Sequence, residues 1–132
     1  MGCGRLGAGI GMLLLATALP TVAGAAVSED NFQLRSAGDI VALCSAEPGD
    51  PLMTAAANFC QGFAVGVYQT LDEEQDGLRS KLFCMTDPRP TRTGAIAGFV
   101  AWIKQKPSVQ TLAPADAILS YLVDTYPCRK LR

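Results

Sequence analysis

Histidine is absent from the 132 residues of this sequence, and its absence excludes several classes of enzyme. Neither a Ser–His nor a Cys–His nucleophilic pair can be assembled, and the usual zinc enzymes and covalently attached haem also need histidine. No two cysteines have C-x-x-C spacing, and no G-x-S-x-G or phosphate-binding loop follows the first 25 residues. Two carboxylates alone can hydrolyse a glycoside, so a hydrolase of that kind stays open. We predict a protein that is not an enzyme and has no catalytic residues, no cofactor and no metal.

The sequence also has little net charge and no apolar run long enough for a membrane anchor. Eleven basic and twelve acidic residues give a formal charge of −1, whereas nucleic-acid binding needs a strong basic excess. The apolar stretch over 10–19 is well short of the roughly 20 residues that cross a bilayer. It follows Arg5 and precedes Pro20 and the small-residue site Ala23-Gly24-Ala25, an order typical of a signal peptide. We therefore predict export, cleavage of residues 1–25 or one residue later, no stable membrane anchor after cleavage and no nucleic-acid binding.

Four cysteines remain after this leader, and their even number indicates disulfides. Small exported domains commonly use disulfides to compensate for a thin hydrophobic core. Metal binding and free buried thiols are the alternatives. We predict that the four cysteines are structural and not catalytic: Cys44, Cys60, Cys84 and Cys128.

The rest of the chain predicts an all-α domain over residues 36–132, preceded by a flexible arm over 26–35. Ser36 opens the first helix, because Asp39 three residues later completes a capping box. Asp50-Pro51 then places a carboxylate cap before a proline that suits the first position of a helix. The predicted helices run from Ser36 to near Ser45, from Asp50 to about Glu74, from Thr91 or Thr93 to Pro107, and from Pro114 to Pro127.

The second helix is the longest, and it carries Gly62 and Gly66 one turn apart. Each glycine costs about 1 kcal/mol relative to alanine inside a helix, so we expect another helix to cross closely at that point. Apolar residues at three- and four-residue steps predict the buried faces. These faces are Ile40, Leu43 and Cys44; Met53, Ala56, Cys60, Phe63, Val67 and Leu71; Ile96, Phe99, Val100 and Ile103; and Ile118, Leu119, Leu122, Val123 and Tyr126.

Helix direction narrows the three disulfide connectivities that four cysteines allow. In a four-helix up-down bundle, the end of the first helix and the start of the second lie at one pole, which places Cys44 beside Cys60. Cys84 lies at the opposite pole, and the fourth helix returns Cys128 to it. The pairing Cys44–Cys60 with Cys84–Cys128 is therefore favoured, and the other two stay open.

Four sequence stretches around these cysteines occur in the order of a known family. They are Asp39 to Cys44 (DIVALC), Cys60 to Val67 (CQGFAVGV), Phe83-Cys84, and Leu122 to Cys128 (LVDTYPC). In this order they resemble the periplasmic immunity proteins that protect bacteria from type VI secretion amidase effectors. Proteins of that family contain a Rap/Tai-type immunity domain. The resemblance implies a small periplasmic helical domain, often a dimer. It also implies binding to a peptidoglycan-cleaving amidase, whose active site a protruding loop blocks.

Two basic segments are candidate partner-binding surfaces, because binding residues often lie on loops that a rigid scaffold positions. The first could enter a partner's cleft, or it could be a solvated connector whose lysines favour a helix C-terminus. The second segment lies between Cys84 and Thr93, and it too could be either a binding surface or an ordinary solvated connector. The candidate residues are Lys104, Lys106, Pro107, Ser108 and Gln110 in the first segment, and Arg89 and Arg92 in the second.

Three further features have a structural and a functional interpretation. The acidic run over 72–77 lacks the ligand spacing of a calcium loop, so a solvated helix end is the better interpretation. Tyr68 and Trp102 could anchor an interface, although half-buried helix aromatics are commoner.

The sequence as a whole predicts an exported binding protein that inhibits a cell-wall amidase. The alternative is a periplasmic acid-stress chaperone. Because histidine is absent, such a chaperone would depend on its carboxylates and would not be activated near pH 6. A carboxylate-pair hydrolase is a third, more distant alternative.

Overall fold

The domain is all-helical, as the sequence predicts. The computed structural model describes Met1 and residues 26–128, which contain four α-helices, two 3₁₀ helices and no strand. Apart from Met1, the predicted leader lies outside the described residues, as do residues 129–132. The α-helices are α1 (Ala37–Cys44), α2 (Met53–Gln75), α3 (Arg92–Lys104) and α4 (Pro114–Thr125), and the 3₁₀ helices are Glu29–Gln33 and Pro107–Thr111.

Short-range capping sets the starts of α1 and α3. The Ser36 N–H donates to Asp39 Oδ2 at 3.0 Å, which confirms the capping box of α1. Burial raises the pKa of Asp39, but hydrogen bonds from Asn31 and Ser36 outweigh it and hold this pKa below its ordinary value. Thr91, and not Thr93, caps α3, because its Oγ1 accepts the Gly94 N–H at 3.1 Å.

Asp50 joins the start of α2 to the N-terminal segment. α2 begins at Met53, later than the sequence predicts, because Asp50 forms a turn in which its Oδ1 accepts the Leu52 N–H at 2.8 Å. Asp50 Oδ2 accepts the Val27 N–H at 2.8 Å. Val27 is buried, and the Phe32 ring packs edge-on against Phe59 with centroids 5.4 Å apart. Val27 and Phe32 therefore pack against the domain from within the segment that the sequence predicts to be a flexible arm.

Two disulfides cross-link the helices and their connections, in the favoured pairing. Cys44–Cys60 joins the last residue of α1 to the first half of α2, with Cα atoms 5.2 Å apart. Cys84–Cys128 joins the α2–α3 connection to the residues after α4, with Cα atoms 4.8 Å apart. The Cys84 N–H also donates to the Tyr126 carbonyl at 2.8 Å. The core between the helices contains four large side chains that are fully buried: Ile40, Leu43, Phe83 and Ile103.

The expectation that a helix crosses closely at Gly62 and Gly66 is wrong. Both glycines are exposed, and a methyl group added at either would meet no other atom within 4 Å. The buried face of α2 is instead the one that carries Ala56 and Cys60. The glycines therefore lie on the open side of α2, where no other described part of the chain covers them.

Candidate functional site

The two predicted basic surfaces lie at opposite ends of α3. Lys104 is the last residue of α3, whereas Arg92 is its first and Arg89 precedes it in the connection. The rise of an α-helix separates the two ends by about 18 Å. The structure therefore does not bring the seven candidate residues into one site. It forms two surfaces with different shapes.

The first surface is the α3–α4 segment, defined as Lys104–Thr111, and side-chain contacts hold its beginning in place. Lys106 Nζ lies 2.8 Å from Asp124 Oδ2 and 4.5 Å from the centroid of the Trp102 ring. Trp102 Nε1 donates to the same Asp124 oxygen at 2.6 Å. Lys106 therefore stabilises the segment, and its charge is balanced within the chain.

The same contacts set the ionisation of Asp124. Hydrogen bonds from Lys106 and Trp102, together with the positive charge of Lys106, hold the pKa of Asp124 below its ordinary value. Asp124 stays negatively charged at neutral pH and keeps Lys106 on the Trp102 ring. The last turn of α4 therefore fixes the start of the α3–α4 segment.

The rest of the α3–α4 segment is a 3₁₀ helix over Pro107–Thr111. Gln110 turns back, and its Nε2 lies 3.5 Å from the Ile103 carbonyl oxygen. The next residue outside the segment, Leu112, accepts the Ala37 N–H at 2.8 Å and joins the segment to α1. Three of the predicted contact residues remain exposed on this rigid segment: Lys104, Pro107 and Ser108.

The second surface borders a cleft of about 300 Å³ between α2, α3, α4 and the α2–α3 connection, which we name the interhelical cleft. Its floor contains side chains of the buried core: Phe99, Ile118, Tyr121 and Leu122. Burial raises the pKa of Tyr121, and the neighbouring Tyr126 hydroxyl raises it further by a smaller amount. The Tyr121 phenol therefore stays neutral. The two predicted arginines, Arg89 and Arg92, both line the cleft and are exposed.

A chain of hydrogen bonds positions Arg89 at this cleft. One Arg89 guanidinium nitrogen donates to the Tyr68 hydroxyl at 3.0 Å, and that hydroxyl lies 3.1 Å from Asp72 Oδ2. Gln75 Nε2 donates to Asp72 Oδ1 at 3.0 Å. The Gln75 side chain is buried, and its Oε1 accepts the N–H of Phe83 at 3.3 Å. Burial and the Asp72 carboxylate raise the pKa of Tyr68, so it keeps its proton.

Sequence reasoning found the two arginines but missed the interhelical cleft. Its lining residues come from three helices and one connection, and no spacing along the chain relates them. The aromatic residues Tyr68 and Trp102 are both half-buried and hydrogen-bonded within the chain. The acidic run is also engaged internally, since Asp76 pairs with Lys81 at 2.7 Å.

The described residues offer no metal centre and no membrane-spanning helix. Within 26–128, no three or more Asp, Glu, Cys or His side chains are grouped so that they could hold a metal ion. None of the helices in this part of the chain is both long and apolar enough to cross a membrane. What the site offers is surface: one rigid exposed segment and one apolar cleft with a basic rim.

Comparison with known families gives one match. The family model of the Rap1a immunity proteins matches residues 36–128, from the cap of α1 to the last cysteine. Comparison with curated proteins and with solved structures gives no match.

Proposed function

Because the chain belongs to the Rap1a immunity proteins, we propose that it binds and neutralises a peptidoglycan amidase effector of type VI secretion. The observation that carries this proposal is the family match over residues 36–128, which includes all four helices and both disulfides. An immunity protein needs a stable surface and no chemistry of its own. Two disulfides across a small helical domain supply such a scaffold.

The proposed compartment is the periplasm. Disulfides persist in oxidising compartments and are rare in the cytosol. The structure contains two of them, and the sequence over 1–25 has the pattern of a signal peptide. Both features support a chain that is exported before it meets its partner.

We propose that the α3–α4 segment is the part that enters the amidase. Lys104, Pro107 and Ser108 are exposed there, while Lys106 and Gln110 hold the segment from behind. A segment that is already fixed loses little conformational entropy when it binds, so more of the contact energy appears as affinity. In this proposal Lys106 and Gln110 position the segment, and they do not contact the amidase themselves.

The test uses the chain purified from the periplasm and the amidase that, in this proposal, the neighbouring gene encodes. Hydrolysis of peptidoglycan is measured while the chain is added up to and beyond equal molar amounts. We expect inhibition to be complete near one chain per amidase. Lys104→Glu and Ser108→Trp should each weaken binding about tenfold or more, because both change an exposed contact without touching the core.

Arg79→Glu is the matched control, since Arg79 is also exposed but lies in the α2–α3 connection, outside the segment. It should inhibit like the unaltered chain. No binding and no inhibition at equal amounts would contradict the proposal. If the chain instead kept a denatured client soluble only below about pH 4, where carboxylates protonate, the chaperone alternative would replace it.

We also propose that two copies associate through the open face of α2. A shallow groove there is lined by Phe63, Val67, Leu71 and Ala115 beside the two exposed glycines. Small residues let a second helix approach closely. Sedimentation should show a dimer that Gly66→Arg converts to a monomer, and a monomer for the unaltered chain at micromolar concentration would contradict this part.

A further inference from the structure

We propose that the interhelical cleft is a binding site for a small-molecule carboxylate with an apolar body. The carboxylate would lie at Arg89 and Arg92 on the rim, and the apolar body would lie against the floor between α3 and α4. This site is separate from the α3–α4 segment, because its basic rim is at the opposite end of α3. The proposal therefore does not depend on the amidase.

The shape of the cleft favours one small apolar group. Its floor consists of core side chains that are at most 5% exposed, namely Phe99, Ile118, Tyr121 and Leu122. Spaces between the helices of a bundle are frequent ligand sites, and their volumes begin at about 300 Å³. At about 300 Å³, this cleft lies at the small end of that range. A stable protein interface buries about 1,000 Å² or more of surface. The cleft is too small to bury that much surface alone, so its size favours a small molecule as the occupant.

The charge of the rim favours an anion. Arg89 and Arg92 are the charged residues of the lining, and among the described residues neither has a carboxylate partner within the 4.0 Å of an ion pair. Guanidinium groups carry five N–H donors, so Arg89 keeps further donors after its bond to Tyr68. A carboxylate can accept two such donors from one arginine.

The hydrogen bonds behind Arg89 favour a prepared site. The Tyr68 hydroxyl accepts from Arg89 and contacts Asp72, which is held in turn by the buried Gln75. Asp72 does not line the cleft, and it meets Arg89 only through the tyrosine hydroxyl. The guanidinium is therefore oriented, and none of the described carboxylates lies within ion-pair distance of it. Binding to a side chain that is already held in position loses less conformational entropy than binding to a side chain that must first become ordered.

Octanoate is the probe for this site, because it combines a carboxylate with a flexible apolar chain. The purified protein is titrated with octanoate while the NMR signals of methyl groups in the cleft are followed. Octylammonium and acetate are the matched probes, since the first has the same chain with the opposite charge and the second lacks the chain. We expect saturable shifts with octanoate at the lining methyl groups of Met85, Ile96, Ile118 and Leu122, and none of comparable strength with the other two.

Arg89→Ala and Arg92→Ala should each weaken octanoate binding about tenfold, because each removes charge-assisted hydrogen bonds to the carboxylate. Arg79→Ala is the matched control and should leave the affinity unchanged. Ala95→Leu places a larger side chain in the wall of the cleft and should also reduce binding. Should Ala95→Leu fail to fold, the two exposed arginine variants keep the test decisive.

Three outcomes would overturn the proposal. Equal binding of octylammonium would show an apolar groove without selectivity for an anion, as expected for the side chain of a partner protein. Equal binding of acetate would show an anion site that does not use the apolar floor. No saturable shift with octanoate at millimolar concentration would show that the cleft is not a carboxylate site.

Discussion

The two ends of α3 carry basic residues beside prolines, yet the chain uses them in different ways. At the C-terminal end, Lys106 is paired with Asp124 at 2.8 Å and lies over Trp102. At the N-terminal end, Arg89 and Arg92 line an apolar cleft, and none of the described carboxylates pairs with them. The difference shows that sequence neighbours do not decide whether a basic residue is available to a partner. Residues supplied from elsewhere in the chain decide it.

Removal of a disulfide should have the largest effect on stability, and it should affect the two ends of α3 differently. Replacing Cys84 and Cys128 together by alanine should lower the free energy of unfolding by about 4 kcal/mol, because the disulfide closes a loop of 44 residues. Replacing Cys44 and Cys60 should cost about 3 kcal/mol, since that loop is 16 residues long. Urea denaturation of the two double variants measures both values.

The local consequences of the two changes should differ as well. Met85 follows Cys84 and lines the interhelical cleft, so loss of Cys84–Cys128 should disturb the NMR signals of that cleft. Loss of Cys44–Cys60 should leave them near their original positions. If both variants disturbed the signals of the cleft equally, the Cys84–Cys128 disulfide would not be what holds the cleft in shape. The two ends of α3 would then not be stabilised independently.

Gly98 gives a smaller test of how tightly the cleft floor is packed. A methyl group added at Gly98 would lie 2.5 Å from the Tyr121 hydroxyl oxygen and 3.5 Å from Tyr121 Cζ. The Tyr121 ring is enclosed by the rings of Phe99, Trp102 and Tyr126, so it cannot move away freely. An approach of 2.5 Å is far shorter than van der Waals contact, so we expect a cost in the upper part of the range of about 1–3 kcal/mol for overpacking, which exceeds the gain of about 1 kcal/mol in helix propensity.

Gly98→Ala should therefore lower the melting temperature. In a Tyr121→Phe background the close oxygen is gone, and the same change should raise the melting temperature. Gly62→Ala is the matched control, measured at a protein concentration low enough to keep the chain monomeric, because a methyl group added there meets no atom of the same chain within 4 Å. It should be stabilising in either background. A stabilising Gly98→Ala in the unaltered chain would show that the floor of the cleft is loosely packed.

Much of the fold could be predicted because its determinants are local. Ser36 and Asp39 are three residues apart and form the capping box that their spacing indicates. The cysteine pairs followed from the direction of the helices. Residue spacing was less reliable in predicting what packs against each helix face. No atom of another described element lies within 4 Å of a methyl group added at Gly62 or Gly66. Val123 is 41% exposed, although it belongs to the predicted apolar face of α4.

The candidate site could be predicted only in part, because its contacts join residues far apart in sequence. Lys106 and Asp124 are 18 residues apart, and Arg89 and Tyr68 are 21 residues apart. Nothing in the local sequence distinguishes Lys106, which is paired, from Lys104, which is exposed. The sequence therefore identified both basic segments, but it could not show which residues position a surface and which form it.

The smallest expected effect is the acid response of the α3–α4 segment. Hydrogen bonds from Lys106 and Trp102 hold the folded-state pKa of Asp124 below the ordinary 3.8. A carboxylate with a lowered folded-state pKa contributes stability above its unfolded-state pKa, and this contribution is lost as the pH falls through the folded-state value. Because Asp124 is exposed, the effect on global stability should be small.

Fluorescence can follow this change, because Trp102 is the only tryptophan of the chain. The emission of Trp102 should change with a midpoint below pH 3.8, when Asp124 protonates and releases Lys106 from the ring. Asp124→Asn should abolish this transition. Asp39→Asn is the matched control, because the pKa of Asp39 is also lowered but its partners are Asn31 and Ser36, so it should leave the transition in place. A transition that survived in Asp124→Asn would mean that Asp124 does not hold the α3–α4 segment, and that Lys106 is as available to a partner as Lys104.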